Sequence, residues 1–188
     1  MNIPVPETID TPRLTLRRYK RRDEMAFIDF MTDEEATRYL LFKEAERTVD
    51  GARERFERAL LNYGSPIPVF ALAVASKDDD RFVGACGLNR VDMEPDAMQV
   101  FYDIIPAEQG KGYATEAARA MIEYAREHGV AKLVAFLRGE NARAVSVAKH
   151  LGFEDHGPTM HHGRSGRRYV LNLDGAASTA RSTTAQPA

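Results

Sequence analysis

Phe101–Gly129 reads FYDIIP, AEQGKG, YATEAARAMIEYAREHG: a β-prone run, a polar loop and a long helical stretch. Gly110 and Gly112 flank Lys111 in the loop. A glycine-bearing loop opening onto a helix N-terminus is an anion site by construction. The first four helical N–H groups have no partner within the helix, and the helix dipole favours negative charge there. Glycine also lets backbone come close to a phosphate and permits positive φ. A phosphate-bearing ligand at the start of this helix is the first expectation.

Spacing narrows the ligand. A Walker loop, G-x-x-x-x-G-K-[ST], needs Gly where Ile105 stands and Ser or Thr where Gly112 stands. A dinucleotide fingerprint, G-x-G-x-x-G/A, puts its third small residue at Thr115. Both nucleotide readings fail, and Gln109-Gly110-Lys111-Gly112-Tyr113-Ala114 remains to be explained.

The rest of the chain bounds the answer. Its 188 residues suit one domain, and 44% hydrophobic with 29% charged residues fits a globular protein with a sizeable core. A net charge of −2 gives no global attraction to nucleic acid or anionic membranes. The basic run Arg17, Arg18, Lys20, Arg21, Arg22 therefore reads as a solvated strand end. No apolar run approaches the roughly 18 to 20 residues of a membrane span. The start, MNIPVPETIDTPR, lacks the pattern of a signal peptide, so a cytoplasmic protein is expected. The single Cys86 excludes an internal disulfide and offers no metal cluster. It lies in a strand-like run and reads as a buried inert thiol.

Taken in order, Met1–Pro12 reads as a surface segment and RLTLRRY (Arg13–Tyr19) as a half-buried strand. Asp23 is placed to cap a helix through Met31, a short helix is predicted over Glu34–Leu41, and another over Thr48–Tyr63. VFALAVAS, RFVGACGLNRV and AMQVFYDIIP follow as an antiparallel meander with polar turns. After the Tyr113–His128 helix come a strand (Lys132–Arg138), a helix (Ala142–His150) and two final strands around a loop with His161 and His162, read as solvated. Asp174 onward, DGAASTARSTTAQPA, carries no large apolar residue and is expected to be a disordered tail, leaving residues 1–173 as the domain.

The loop QGKGYA resembles the Q/R-x-x-G-x-G/A loop of the GNAT superfamily of acyl-CoA-dependent N-acyltransferases. TPRLTLRRY and ENARAVSVAKHLGF are similar to segments of its ribosomal-protein N-terminal acetyltransferase (RimJ/RimL-like) branch. Together the matches run from about Thr11 to Leu173. The resemblance implies an α+β fold: a mixed, mostly antiparallel, splayed sheet with helices on both faces. It implies acetyl-CoA as cosubstrate, no metal, a primary amine as acceptor, and a monomer or homodimer binding neither nucleic acid nor membrane. By the same resemblance, Gln109, Gly110, Lys111, Gly112, Tyr113, Ala114 and Thr115 match the pyrophosphate loop. Tyr102 and Ile104 lie in the strand whose backbone bonds the pantetheine arm, and Asn141 matches a second pantetheine contact. Asn141 is also a good N-cap for the helix that follows.

Three positions depart from the family pattern. Ala144 replaces a serine, Ala148 stands where many members place a tyrosine acid, and Gln99 stands where relatives often have a glutamate base. Asp103, on the same side of the strand as Gln99 and Phe101, is the candidate catalytic base. Without a carboxylate at Gln99, a low-pKa acceptor is favoured. Neutralising an α-amino group near pKa ~8 at pH ~7 takes about 1.4 kcal/mol, against about 4.6 for a lysine. The reading is acetyl transfer to a peptide N-terminus or small-molecule amine. The vacant positions leave a catalytically silent CoA-binding or sensor domain as the alternative. Glu116, in the first helical turn, is expected to bond backbone donors or interact with the helix dipole there.

Overall fold

The computed structural model describes residues 3–40, 42–65, 70–91, 94–161 and 163–173. The expected tail, His162 and the start of the first meander strand at Val69 lie outside the described residues. Eight strands form one sheet: β1 (Thr8–Asp10), β2 (Leu14–Arg17), β3 (Ala71–Ser76), β4 (Phe82–Arg90), β5 (Ala97–Ile104), β6 (Lys132–Leu137), β7 (Glu154–His161) and β8 (Arg164–Asn172). Their order is β1-β2-β3-β4-β5-β6-β8-β7. All neighbours run antiparallel except β5 and β6, which are parallel because α4 (Tyr113–Glu127) carries the chain across between them. The helices α1 (Glu24–Thr32), α2 (Glu34–Thr37) and α3 (Val49–Leu61) lie between β2 and β3, and α5 (Ala142–His150) follows β6.

Alternation along β5 assigns the two faces. Met98, Val100, Tyr102 and Ile104 enter the main core with Ala117, Ala118, Met121, Ile122 and Ala125 of α4. Alanines at these positions let α4 lie close against the sheet. The opposite face carries Gln99, Phe101 and Asp103. There an aromatic cluster packs α1 and α3 on the sheet: Tyr19 sits 5.5 Å from both Phe27 and Phe56, and 6.3 Å from Phe82. Edge-to-face and tilted contacts of this kind add to the burial of large apolar rings.

The sheet forks at its centre. β5 and β6 align only over Ala97↔Lys132, Met98↔Leu133 and Gln99↔Val134. Beyond that pair β5 stays with β4 as far as Ile104, and β6 stays with β8 as far as Leu137. The hydrogen-bond phase of β5 follows from Ile105 N–H donating to the Val83 carbonyl at 3.0 Å. In an antiparallel ladder this makes Asp103, Phe101 and Gln99 the residues bonded to β4. The N–H and C=O groups of Val100, Tyr102 and Ile104 therefore point into the fork.

Several expectations are corrected. The N-terminal segment is not a surface strap: Ile3 and Val5 are buried in the main core, and Thr8–Asp10 forms the edge strand β1. Arg17 is not a solvated strand end. Its side chain is 4% exposed, chelated by Asp23 at 2.7 and 3.0 Å and held by Asp80 at 2.5 Å. Asp23 consequently makes no helix-capping side-chain bond, its carboxylate being taken by Arg17 and the Lys20 N–H. The helix predicted over Glu34–Leu41 ends at Thr37; Leu41 is outside the described residues. By contrast α3 begins where its sequence signal lies, Thr48 accepting from Gly51 N–H at 3.1 Å.

The Arg17 cluster ties the end of β2 to the start of α1 and to the β3–β4 turn. Removing one member of a buried, hydrogen-bonded ion pair leaves an uncompensated charge. Asp23→Ala is expected to lower unfolding stability by about 3 kcal/mol, read as a fall in the urea midpoint.

Candidate active site

The glycine loop is built for a backbone-held anion. Gly110 and Gly112 have φ of 79° and 81°, the left-handed region that side chains disfavour. Gly112 is the N-cap of α4 and supplies no side-chain cap, so the first-turn N–H groups of Tyr113, Ala114 and Thr115 have no side chain to bond. A Cβ built on Gly110 would meet nothing within 4 Å, so the loop lies open.

Its surroundings are braced by charges that the sequence did not pair. Glu116 accepts from Thr11 Oγ1 at 2.7 Å, from Arg13 N–H at 2.8 Å and from Arg13 Nε at 2.7 Å. Burial pushes the Glu116 carboxyl up, but these donors outweigh it and leave the pKa below the usual value. Arg13 also donates to the Lys111 carbonyl at 2.9 Å and lies 4.9 Å from the Tyr113 ring centroid. The expectation that Glu116 bonds backbone donors thus holds in part, its partners belonging to Thr11 and Arg13. Lys111 spends its charge on Glu108 at 2.8 Å, and that bond, with Arg81, holds the Glu108 carboxyl below its ordinary range.

The loop is joined to the fork through Gln109. Its Nε2 donates to the Ile104 carbonyl at 2.9 Å, and its Oε1 accepts from Arg143 of α5 at 2.5 Å. The Ile104 N–H is left for a ligand in the fork, while one lone pair of its carbonyl is taken by Gln109. Asn141 caps α5, accepting from Ala144 N–H at 3.2 Å, which leaves its amide NH2 free of that role. Tyr102 is a buried core aromatic whose hydroxyl donates to the Ala144 carbonyl at 3.2 Å. Its ring occupies space beside the small residue Ala144, and burial raises its pKa, so the phenol stays protonated. What Tyr102 offers the fork is its backbone. Ala148 is fully buried and carries no proton.

Asp103 lies on the other face. It keeps a partly open surface among enclosing groups. Burial raises its pKa to about 7, and the positive charge of Arg55 on α3 opposes part of that rise. Cys86 on β4 is buried and its thiol pushed far up by burial, so it is inert as expected. Arg55, Phe42, Arg143 and Arg13 were not singled out from sequence. Arg13 and Arg143 meet partners tens of residues away or more, Arg55 reaches Glu46 and Phe42 across a loop, and no local pattern marks any of them. His161 is not solvated turn: it ends β7 and stacks on Phe136 with centroids 3.9 Å apart. A surface depression lined by Glu54, Glu57, Arg58, Leu61 and Asn62 lies on the outer side of α3, away from its buried Ala52, Phe56 and Ala59.

A forked sheet with a positive-φ glycine loop at the fork is the arrangement of an acyl-CoA-handling fold. The model of the acetyltransferase (GNAT) domain matches residues 13–154, and the chain belongs to this family, whose members transfer acetyl from acetyl-CoA to an amine. It is 28% identical over 153 residues to the "Uncharacterized N-acetyltransferase p20" of Bacillus licheniformis, covering 80% of this chain and 84% of that one. The fold matches a GNAT-family acetyltransferase from Bacillus anthracis with TM-score 0.73 at 20% identity, covering 88% of this chain and 98% of that one. It matches RimL, a ribosomal L7/L12 α-N-protein acetyltransferase in complex with coenzyme A, with TM-score 0.71 at 18% identity, covering 89% and 99%. Among the described residues no helix is long and apolar enough to cross a membrane, and no three His, Cys, Asp or Glu side chains group as a metal site.

The loop and fork residues fit a diphosphate carrying an extended arm. Gly112→Asp tests the assignment, because Asp tolerates the left-handed conformation but puts a carboxylate into the nest. CoA binding measured by calorimetry is expected to vanish while circular dichroism stays that of the wild type. Wild-type CoA affinity in this variant would remove the loop from the site.

Proposed function

We propose that this chain acetylates a low-pKa primary amine, a peptide N-terminus or a small amine, with Asp103 as general base. The observation that carries this is the enclosed Asp103 carboxyl beside the fork, on the face opposite the glycine loop's helix; burial lifts the carboxyl's pKa to about 7. A base is most effective when its pKa lies near the working pH. Gln99 cannot play that part.

The roles follow from position. The N–H groups of Lys111–Thr115 and the α4 dipole hold the CoA pyrophosphate, and Gln109 keeps the loop tied to Ile104. The backbone of Val100 and Tyr102, with the Asn141 amide, lines the arm. One fork N–H meets the oxygen that gains charge as the amine adds to the thioester carbon, an arrangement effective because the donor is fixed beforehand. The amine nitrogen bonds to the acyl carbon, its proton passes to Asp103, and the carbon–sulfur bond breaks to release the thiolate. No acid side chain at position 148 protonates that thiolate. Holding both partners in line supplies much of the acceleration. The similarity to RimL, named for acetylating an N-terminal α-amine, supports the low-pKa acceptor. Turnover of acetyl-CoA with an amine and peptide panel, followed by mass spectrometry, tests the reading. Tight CoA binding without product on the whole panel would favour a silent CoA-binding domain.

Two outcomes are expected of Asp103→Asn. kcat/KM falls by about 100-fold or more with CoA affinity retained, and the wild-type rise in rate as pH passes about 7 is lost. Stability moves the other way. Asp103 binds its proton more tightly folded than unfolded, so wild-type stability declines as pH rises from the unfolded carboxyl pKa through about 7. The Asn variant is expected to match the wild type near pH ~4 and exceed it above pH ~8 in thermal melts.

A further inference from the structure

On the acceptor face, the segment between β2 and β3 meets the β7–β8 hairpin. Arg164 Nη2 donates to the Phe42 carbonyl at 2.9 Å. The Phe42 ring carries the Arg55 guanidinium 4.7 Å from its centroid, and Glu46 holds that guanidinium at 2.8 Å. Arg55 is the cation whose field reaches Asp103. On the hairpin side, Arg164 is the register partner of His161. The His161 ring stacks on Phe136 at 3.9 Å and 9°. Phe136 belongs to β6, one lip of the fork, and packs with Ala97 and Val134 on the Asp103 face. Two contact groups thus stand on the Asp103 face: Arg55, Phe42 and Arg164 on one side, and His161 with Phe136 on the other, the hairpin register setting Arg164 opposite His161. Phe101 forms the floor, its ring lying over Gly87, where a Cβ would come within 2.7 Å of it.

This collar has a definite chemistry. Phe42, Phe136, His161 and Phe101 gather aromatic surface on this face of the sheet, Arg55 covering one face of the Phe42 ring and His161 one face of Phe136. Guanidinium planes stack as flat surfaces and extend that surface. Aromatic faces attract the acceptor's ammonium form on approach; it gives that proton to solvent, and Asp103 takes the one released when the neutral amine adds. Arg55 and Arg164 oppose a second cation on the acceptor. We propose that the collar is the specificity site for the acceptor, selecting primary amines with a flat apolar group close to the nitrogen. An arylalkylamine and a peptide beginning with an aromatic residue share that chemistry. The inference rests on the N-acetyltransferase reading above.

The test uses the full chain with saturating acetyl-CoA and compares kcat/KM for matched acceptors: phenethylamine against hexylamine, and a Phe-initiated against a Ser-initiated peptide. At least one aryl acceptor is expected to exceed its partner by about 10-fold or more, the usual discrimination of an apolar pocket. The pair showing the preference identifies a small amine or a peptide as the source. Phe42→Ala and Phe136→Leu are each expected to bring that ratio close to one while the dissociation constant for CoA stays that of the wild type. Equal values for both matched pairs in the wild type, or a ratio intact in both variants, would overturn the proposal. Product from amines without aryl preference defeats only this inference. No product from any amine, with CoA still bound, defeats the acetyltransferase reading and the collar with it.

Discussion

The parting of β5 from β6 is the constraint on which the rest of the molecule depends. Two neighbouring strands that stop pairing leave backbone donors and acceptors without a ladder, and buried backbone groups do not stay unpaired without cause. Here the strands separate after Gln99↔Val134, while each keeps its other neighbour. The fork is held open by packing on both faces. α4 presses alanines onto one side, and the Tyr19–Phe27–Phe56–Phe82 cluster anchors α1 and α3 on the other. An extended ligand that bonds the fork's backbone completes the interrupted sheet.

The chemistry is divided between those faces. In the proposed reading the glycine loop, the α4 N-terminus and the Gln109 bridge serve the donor side, where anion binding by backbone N–H groups needs little help from charged side chains. Arg13 and Lys111 are accordingly spent on bracing contacts with Glu116 and Glu108. The acceptor side holds a carboxylate under partial burial. That burial raises the Asp103 carboxyl to about 7 and opposes its ionisation in the folded state, the shift on which its proposed role as base draws.

Local signals carried the fold a long way. The turn residues, the period-2 runs and the Thr48 cap placed most strands and helices close to where they lie. Failures arose where burial or a pairing outside the element's own pattern decides a side chain's environment. Arg17 looks like one of five basic surface residues until Asp80 and Asp23 enclose it. Asp23 looks like a helix cap until Arg17 claims its carboxylate. Ile3 and Val5 sit among prolines and polar residues, and only the depth of the main core explains their burial. His161 reads as solvated hairpin until Phe136 lies beneath it.

The sequence by itself determined the glycine loop and the helix it opens. The spacing of Gly110 and Gly112 before an alanine-faced helix is local information, since positive φ, an uncapped N-terminus and helix periodicity depend on neighbours within a few residues. Only the tertiary structure decided the surroundings of Asp103. Asp103 acquires its proton affinity from enclosure, and Phe42, Arg55, Arg164 and Phe136 meet because the sheet order brings segments more than 100 residues apart around one opening. Enclosure and long-range pairing belong to the folded state, so no stretch of the chain could display them.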